Sequence, residues 1–269
     1  MEKAALSVKK TPEAIKAALE IKEFLEARGV EVIFDHDSAT ELGLKGKKIG
    51  EFDADLLLVL GGDGMILKAA SKTNMDIPVL GINFGTMGFL TEIKADKWIE
   101  GLERVLSDNY TLEERNKIDV FIEEEKVGEA LNEAVVVTSS PVKMLHVKIF
   151  INSSEIDEVR ADGIIVATPT GSTAYSMSAG GPILDPKTRA FVITPISPFQ
   201  SSARSFVVPD SLEIRIKLVM SKKEAVLIVD GQQVAEILPD DEIVFRLSNR
   251  KISFIKLNGD FYRKIRERL

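Results

Sequence analysis

The chain has 269 residues, enough for one large domain or two modest ones with buried cores. An apolar share of 45%, a charged share of 29% and no Cys exclude a disulfide scaffold and a thiolate metal site, and no apolar run approaches the roughly 18 residues of a bilayer span. The net charge of −7 argues against a broad nucleic-acid face, and Met1-Glu2-Lys3-Ala4 lacks signal-peptide character, so a cytoplasmic protein with neither membrane nor nucleic-acid partners is expected.

Thr11-Pro12-Glu13 opens a helix, with Thr as N-cap and Pro at the first helical position. Ala14, Ala18, Ile21 and Leu25 form its buried stripe, and Gly29 supplies the stop. Val30 to Phe34 reads as a strand. Asp55 to Leu60 is a short apolar run suited to a strand covered on both faces. Met65 to Ser71 reads as helix, Pro78 to Ile82 as a buried strand, and Ala95 to Leu106 as a helix with Trp98, Leu102 and Val105 on one side. Strands alternating with helices imply a parallel α/β sheet.

From about Asn116 to Leu247 the texture becomes β-rich, with strands expected at Lys117–Ile122, Ala134–Thr138, His146–Ile151, Gly163–Ala167, Glu213–Val219, Ala225–Val229 and Glu242–Arg246. Asn152-Ser153-Ser154 and Asp230-Gly231 are turn signals. Helical periodicity returns near Thr173 to Ala179, and Asp260 to Leu269 reads as a basic helix. The expected fold is an α/β domain with a parallel sheet over 1–112 and a C-terminal β-rich domain, a β-sandwich, over 113–249. The tail 250–269 is expected to pack back on the first.

Three glycine-bearing turns carry the chemistry. Gly61-Gly62-Asp63-Gly64 lies between a buried strand and a helix, where parallel sheets bind ligands. Its glycines allow close backbone approach, the helix start favours anions, and Asp63 is the one acid where phosphates would sit. Such an acid receives a proton or holds a cation; the alternative is a tight turn whose Asp caps the next helix. Gly81-Ile82-Asn83-Phe84-Gly85-Thr86-Met87-Gly88-Phe89 follows another strand and, alone, reads as a structural turn. It is neither a dinucleotide fingerprint nor a P-loop. In the third, Asp162 to Tyr175, a β-branched strand enters a Pro-Gly turn rich in hydroxyls and ends in a small-residue helix before Gly180-Gly181-Pro182. Hydroxyls and free N–H groups there suit ribose and phosphate, and Tyr175 could stack on a base. His36 and His146 have no ligand-spaced partners, and no Gly-x-Ser-x-Gly elbow makes Ser172 or Ser176 a hydrolase nucleophile.

Together these runs resemble the NAD kinase family over nearly the whole chain. Gly61 to Gly64 is similar to its G-G-D-G signature, Asn132-Glu133 to its N-E pair, and Thr168 to Tyr175 to its T-P-T-G-S-T-A-Y run. Gly180-Gly181-Pro182, Thr194 to Pro198 and Asp230-Gly231-Gln232 stand where the family has similar segments. The resemblance implies a site between the two domains. There the γ-phosphoryl of ATP, or polyphosphate, moves to the 2′-hydroxyl of the adenosine ribose of NAD to give NADP. It implies Asp63 as proton acceptor, with Gly61, Gly62 and Gly64 against the ligand. Asn132 and Glu133 would hold NAD's hydroxyls, and Asp162, Thr170, Ser172, Thr173 and Ser178 would bind the dinucleotide. Ala174 and Tyr175 would lie near the adenine or nicotinamide, while Lys68, Lys143, Arg160 and Gln232 match as phosphate or ribose contacts. It implies Mg²⁺ held mainly by ATP phosphates, and a homodimer or homotetramer. Met65 departs from the small polar residue often found after the signature, which leaves phosphate binding there to backbone N–H groups. A lipid kinase would share G-G-D-G but need an apolar acceptor surface, and the chain shows no basic amphipathic helix. The intact Asp63 with Asn132-Glu133 argues against a non-catalytic sensor.

Overall fold

In the computed structural model, which describes residues 1–72, 77–86, 88–140, 143–219, 225–238, 241–257 and 261–268, the chain divides into two units. Residues 1–114 with 252–269 form the first, and 115–251 the second.

The first unit opens with β1 (Lys3–Val8), a strand that the apolar patterning did not single out. In α1 (Pro12–Glu26) Pro occupies the start, where a missing N–H leaves no bond unmade, and Ala14, Ala17, Ala18, Ile21 and Leu25 are buried. The chain turns at Gly29, whose φ of +78° is left-handed. Then follow β2 (Glu31–Asp35), α2 (His36–Leu42), β3 (Gly46–Lys47), β4 (Leu56–Gly61), α3 (Asp63–Lys72), β5 (Val79–Asn83), β6 (Ile93–Lys94) and α4 (Trp98–Leu106). Residues 95–97 are a separate 3-10 turn, so the helix expected over 95–106 is divided. The strands run parallel in the order β3-β2-β1-β4-β5-β6. β4 is buried at all six positions, as a central strand covered on both faces must be. Leu56, Leu58 and Leu60 pack with Leu6, Leu80 and Ile82 against the apolar stripes of α1 and α4. At Gly81 an added Cβ would lie 2.6 Å from Ile66 Cδ1 of α3, so that glycine lets α3 close on the sheet.

The second unit contains β7 (Thr111–Ile122), β8 (Glu125–Ala130), β9 (Glu133–Thr138), β10 (Leu145–Ile151), β11 (Ser154–Ala161), β12 (Gly163–Ala167), α5 (Tyr175–Ser178), β13 (Ala190–Ile196), β14 (Phe206–Pro209), β15 (Ile214–Leu218), β16 (Ala225–Val229), β17 (Gln232–Ile237) and β18 (Glu242–Lys256). One sheet runs β14-β13-β12-β9-β16-β17, and the other is built from β11-β10-β15-β18 with β7 and β8. Alternate residues of both sheets, among them Val136, Val166 and Phe191 against Val147, Ile216 and Phe245, form one core, which makes this unit a β-sandwich. On the far face of the first sheet Val135, Ile165, Ala167 and Val192 lie under Ala179 and Leu184. That second cover explains why Gly163–Ala167 is continuously apolar. The helix expected near 173–179 is a 3-10 turn at 171–173 followed by the four-residue α5.

The division between units falls inside β7 and β18. The end of β18 belongs to the first unit, where Phe254 pairs in parallel with Val79, and α6 (Phe261–Arg268) completes it. Asp260 and Leu269, which bound the expected basic helix, lie outside the described residues. Among the described residues no helix is long and apolar enough to cross a membrane.

Candidate functional site

β4 ends at Gly61 and α3 begins at Asp63, which sets the glycine turn at the carboxyl end of the parallel sheet. Asp63 does not cap its own helix. Its Oδ2 accepts from the N–H of Phe89 at 2.6 Å, and its Oδ1 from Leu90 and Thr91 at 3.1 and 3.3 Å. Immediately before these donors, a Cβ added to Gly88 would overlap the Asp63 carboxylate, so a side chain at 88 and this placement of Asp63 exclude each other. The second glycine run is thus the cradle of the first. Two carboxylate oxygens offer about four acceptor positions; among the described residues three are taken, which leaves one on Oδ2.

Around this centre, Met65 folds over Gly61, where an added Cβ would sit 2.9 Å from the thioether sulfur. Gly62 and Gly64 have no described protein atom within 4 Å of such a Cβ. Lys68 is half exposed and 3.1 Å from Asp37; its hydrogen bond and charge hold that carboxyl below its usual range.

In the second unit the segment 168–175 lies on residues 131–133. Thr168 Oγ1 donates to the Leu131 carbonyl at 2.6 Å and accepts from the Gly171 N–H at 3.1 Å, while the Thr168 N–H donates to the Asn132 carbonyl at 2.8 Å. A Cβ at Gly171 would overlap the Asn132 carbonyl oxygen. From the other side the Asp230 carboxylate accepts the N–H groups of Leu131, Asn132 and Glu133 at 2.7, 2.8 and 3.1 Å. Asp230 and Gly231, at φ of 44° and 79°, form the tight turn between β16 and β17. Burial raises the Asp230 carboxyl against the pull of those three donors. Glu133 is pushed up to about 7, by burial first and then by Asp230, with the Tyr175 N–H opposing. Its Oε2 is buried without a partner.

The hydroxyls of this segment hold the loop itself. Ser172 donates to the Pro169 carbonyl at 2.6 Å and accepts from the Leu184 N–H at 2.9 Å; Thr173 donates to the Thr170 carbonyl at 3.2 Å. Ser176 and Thr194 share a hydrogen bond of 3.0 Å. The structure therefore brings together Asn132, Glu133, Thr170, Ser172, Thr173, Ala174 and Tyr175, the last with its ring exposed. Ser178 and Gln232 are exposed, Asp162 is half-buried, and Lys143 is exposed before β10. Arg160 stands on β11, in the other sheet of the sandwich. His146 is 2.6 Å from Glu158, and among the described residues no three acidic, His or Cys side chains converge on a metal position. Gly88, Gly171 and Asp230 are not singled out as site residues by sequence. The two glycines are visible there only as members of runs, and Asp230 only as a turn former and as part of the Asp230-Gly231-Gln232 segment, with no role of its own.

A carboxylate held in a glycine turn of a parallel sheet, in a chain whose β-sandwich sets buried acids under a hydroxyl-rich loop, is the equipment of a nucleotide phosphotransferase. The family model of the ATP-NAD kinase N-terminal domain matches residues 5–110, and that of its C-terminal domain residues 131–257. The NAD kinase of Methanothermobacter thermautotrophicus is 47% identical over 261 residues, spanning 96% of this chain and 92% of the relative. That of Thermococcus kodakarensis is 43% identical, spanning 94% and 92%. The crystal structure of yeast NADH kinase complexed with NADH superposes with a TM-score of 0.88 at 28% identity, covering 100% of this chain and 87% of that one. An NAD kinase from Archaeoglobus fulgidus in complex with ATP gives 0.82 at 30% identity, covering 98% and 97%. The chain belongs to the NAD kinase family, enzymes that phosphorylate NAD to NADP.

Proposed function

We propose that Asp63 orients the 2′-hydroxyl of NAD's adenosine ribose and takes its proton as the γ-phosphoryl of ATP arrives. The observation that carries this is a carboxylate fixed by three peptide N–H groups with one acceptor position left on Oδ2. Phosphoryl transfer has a loose transition state, so a held and oriented acceptor oxygen matters more than base strength. Gly62 and Gly64 support the reading: no described protein atom demands glycine there, whereas a ligand lying on the backbone would.

Asn132 and Glu133 hold NAD's hydroxyls, and the buried, unpartnered Oε2 of Glu133 is an acceptor suited to one of them. Asp162, Thr170, Thr173, Ala174, Tyr175 and Ser178 serve the rest of the dinucleotide, and Ser172 shapes the loop that presents them. Lys68, Lys143, Arg160 and Gln232, all with exposed side chains, are the remaining phosphate or ribose contacts. A divalent cation such as Mg²⁺, when bound, would neutralise charge on the ATP phosphates, which would themselves supply most of its oxygen ligands and leave the free position on Asp63 Oδ2 to the hydroxyl. The outer strands β14 and β17 carry half-exposed Val207 and Val234, which supports a homodimer or homotetramer. A monomer mass in light scattering would contradict that assembly.

The test is Asp63→Asn. Its kcat should fall by roughly 10²–10⁴, the range for losing a positioned proton acceptor, with a modest loss of thermal stability because the amide turns a donor toward one of the three N–H groups. Wild-type turnover in the purified variant would remove Asp63 from the reaction.

A further inference from the structure

The segment that cradles Asp63 is itself gripped from behind. No residue of α6 is fully buried, yet Phe261, Lys264 and Arg268 share one face of the helix and meet the same few residues. Lys264 Nζ donates to the carbonyl oxygens of Thr91 at 2.7 Å and Phe89 at 3.1 Å. The Phe89 ring lies 6.3 Å from the Phe261 ring, and the Arg268 guanidinium sits 4.2 Å over it. The peptide between Phe89 and Leu90 links the two systems directly. Its carbonyl takes the Lys264 ammonium, and its N–H binds Asp63 Oδ1 at 3.1 Å. A cation on the carbonyl polarises that amide and strengthens the N–H as a donor.

We propose that Lys264 is a positioning residue for phosphoryl transfer: it fixes the Phe89–Thr91 peptides and, through them, the orientation of the Asp63 carboxylate. The inference rests on Asp63 being the reacting carboxylate. The Lys264 side chain is only 14% exposed, an unusual place for a strongly hydrated ammonium unless its charge is used. It shares the Glu92 carboxylate, at 3.6 Å, with Lys256 at 3.3 Å. A cavity of about 320 Å³ beside it adds Lys94, Lys97, Glu100 and Arg104, together with Arg263 and Glu267 of α6 itself. Burial, reinforced by Lys256 and opposed by Glu92 and Asp63, lowers the ammonium to about 8.

Two opposite pH trends follow. Above about pH 8 the ammonium loses its charge, the clamp weakens and kcat falls. Stability moves the other way. The folded value lies below the unfolded value of 10.5, so between about 8 and 10.5 the unfolded chain binds more protons and stability rises with pH. A lysine that served the fold alone would give no loss of turnover while stability climbs.

The experiment compares the full-length wild type with Lys264→Met and Lys264→Arg. Lys264→Met should lower kcat roughly ten- to hundred-fold at neutral pH, as small displacements at a reacting centre do. The KM values for NAD and ATP should stay within about twofold, and the wild-type fall in kcat above pH 8 should be absent. Lys264→Arg keeps the charge, so it should retain most of kcat and hold it beyond pH 9. Should the methionine variant fail to fold, the wild-type and arginine profiles decide by themselves. A methionine variant with wild-type kcat and profile, or an arginine variant that declines near pH 8, overturns the proposal. Asp63→Asn run in parallel separates the failures, because turnover there sinks the role of Asp63 and not that of Lys264 alone.

Discussion

A single methyl group at position 88 would occupy the space of the Asp63 carboxylate. Gly88→Ala should therefore displace either the acid or its three donors, and kcat should fall about 100-fold or more, as displacement of a reacting group does. Steady-state kinetics beside a melting curve checks this; an active Gly88→Ala enzyme would show that the cradle is not needed. Glu133 makes a pH prediction. Its folded value of about 7 lies above its unfolded 4.5, so the stability it contributes is full below 4.5 and lost as pH rises through 7. Glu133→Gln should match wild type at pH 5 and exceed it at pH 8 by roughly 2–3 kcal/mol, since each tenfold change in proton affinity on folding is worth about 1.4 kcal/mol. Urea unfolding at both pH values is the measurement, and an equal difference at the two would contradict the assignment. Of these residues Asp63 was legible in the sequence, being the one acid in a turn built for anions. Gly88 and Asp230 were not, because what each does depends on atoms 25 and about 100 positions away that only the fold brings near.

At the level of elements, the strands read most easily were those with a continuous or strictly alternating apolar run, such as β4, β12 and β16. β11, an outer strand, is made largely of charged or polar residues, and in β17, the outer strand of the other sheet, Val234 is exposed, so neither has an apolar rhythm to read. β13 is interrupted by Pro195, which cannot donate to a ladder. The structure accommodates it because β14 pairs only as far as Ile193, so the proline stands beyond that ladder's end. The expected strand at 242–246 runs on to Lys256, since its second half serves a different unit from its first. The hydroxyl-rich segment offers its own test. Ser172 is fully buried and joins the Pro169 carbonyl to the Leu184 N–H. Ser172→Ala strands that N–H and should cost about 1–3 kcal/mol. It should raise the KM for NAD more than that for ATP, which denaturant curves and initial rates report together. Unchanged stability would mean that the latch does not order the loop.

For the whole molecule, the chain leaves the first unit near residue 114 and returns to it at residue 252. The sandwich core is drawn entirely from residues between Ile118 and Phe245. Residues 115–251 alone should thus fold with one cooperative thermal transition; a noncooperative melt would show that this core needs the flanking chain. Residues 1–114 alone lack Ile255, which belongs to the core of the first unit, and Phe254, which pairs with β5. Division into an α/β part and a β-sandwich was visible in the change of texture after about residue 110. The return was harder to see, because one uninterrupted strand carries it. That strand also governs when the enzyme comes alive during synthesis. A ribosome has released most of the polypeptide, sandwich included, before Phe254 and Lys264 emerge. A copy that stops short of Phe254 would consequently carry the residues of the whole sandwich core attached to an α/β half that lacks Ile255 from its core and the partner of Val79 from its sheet.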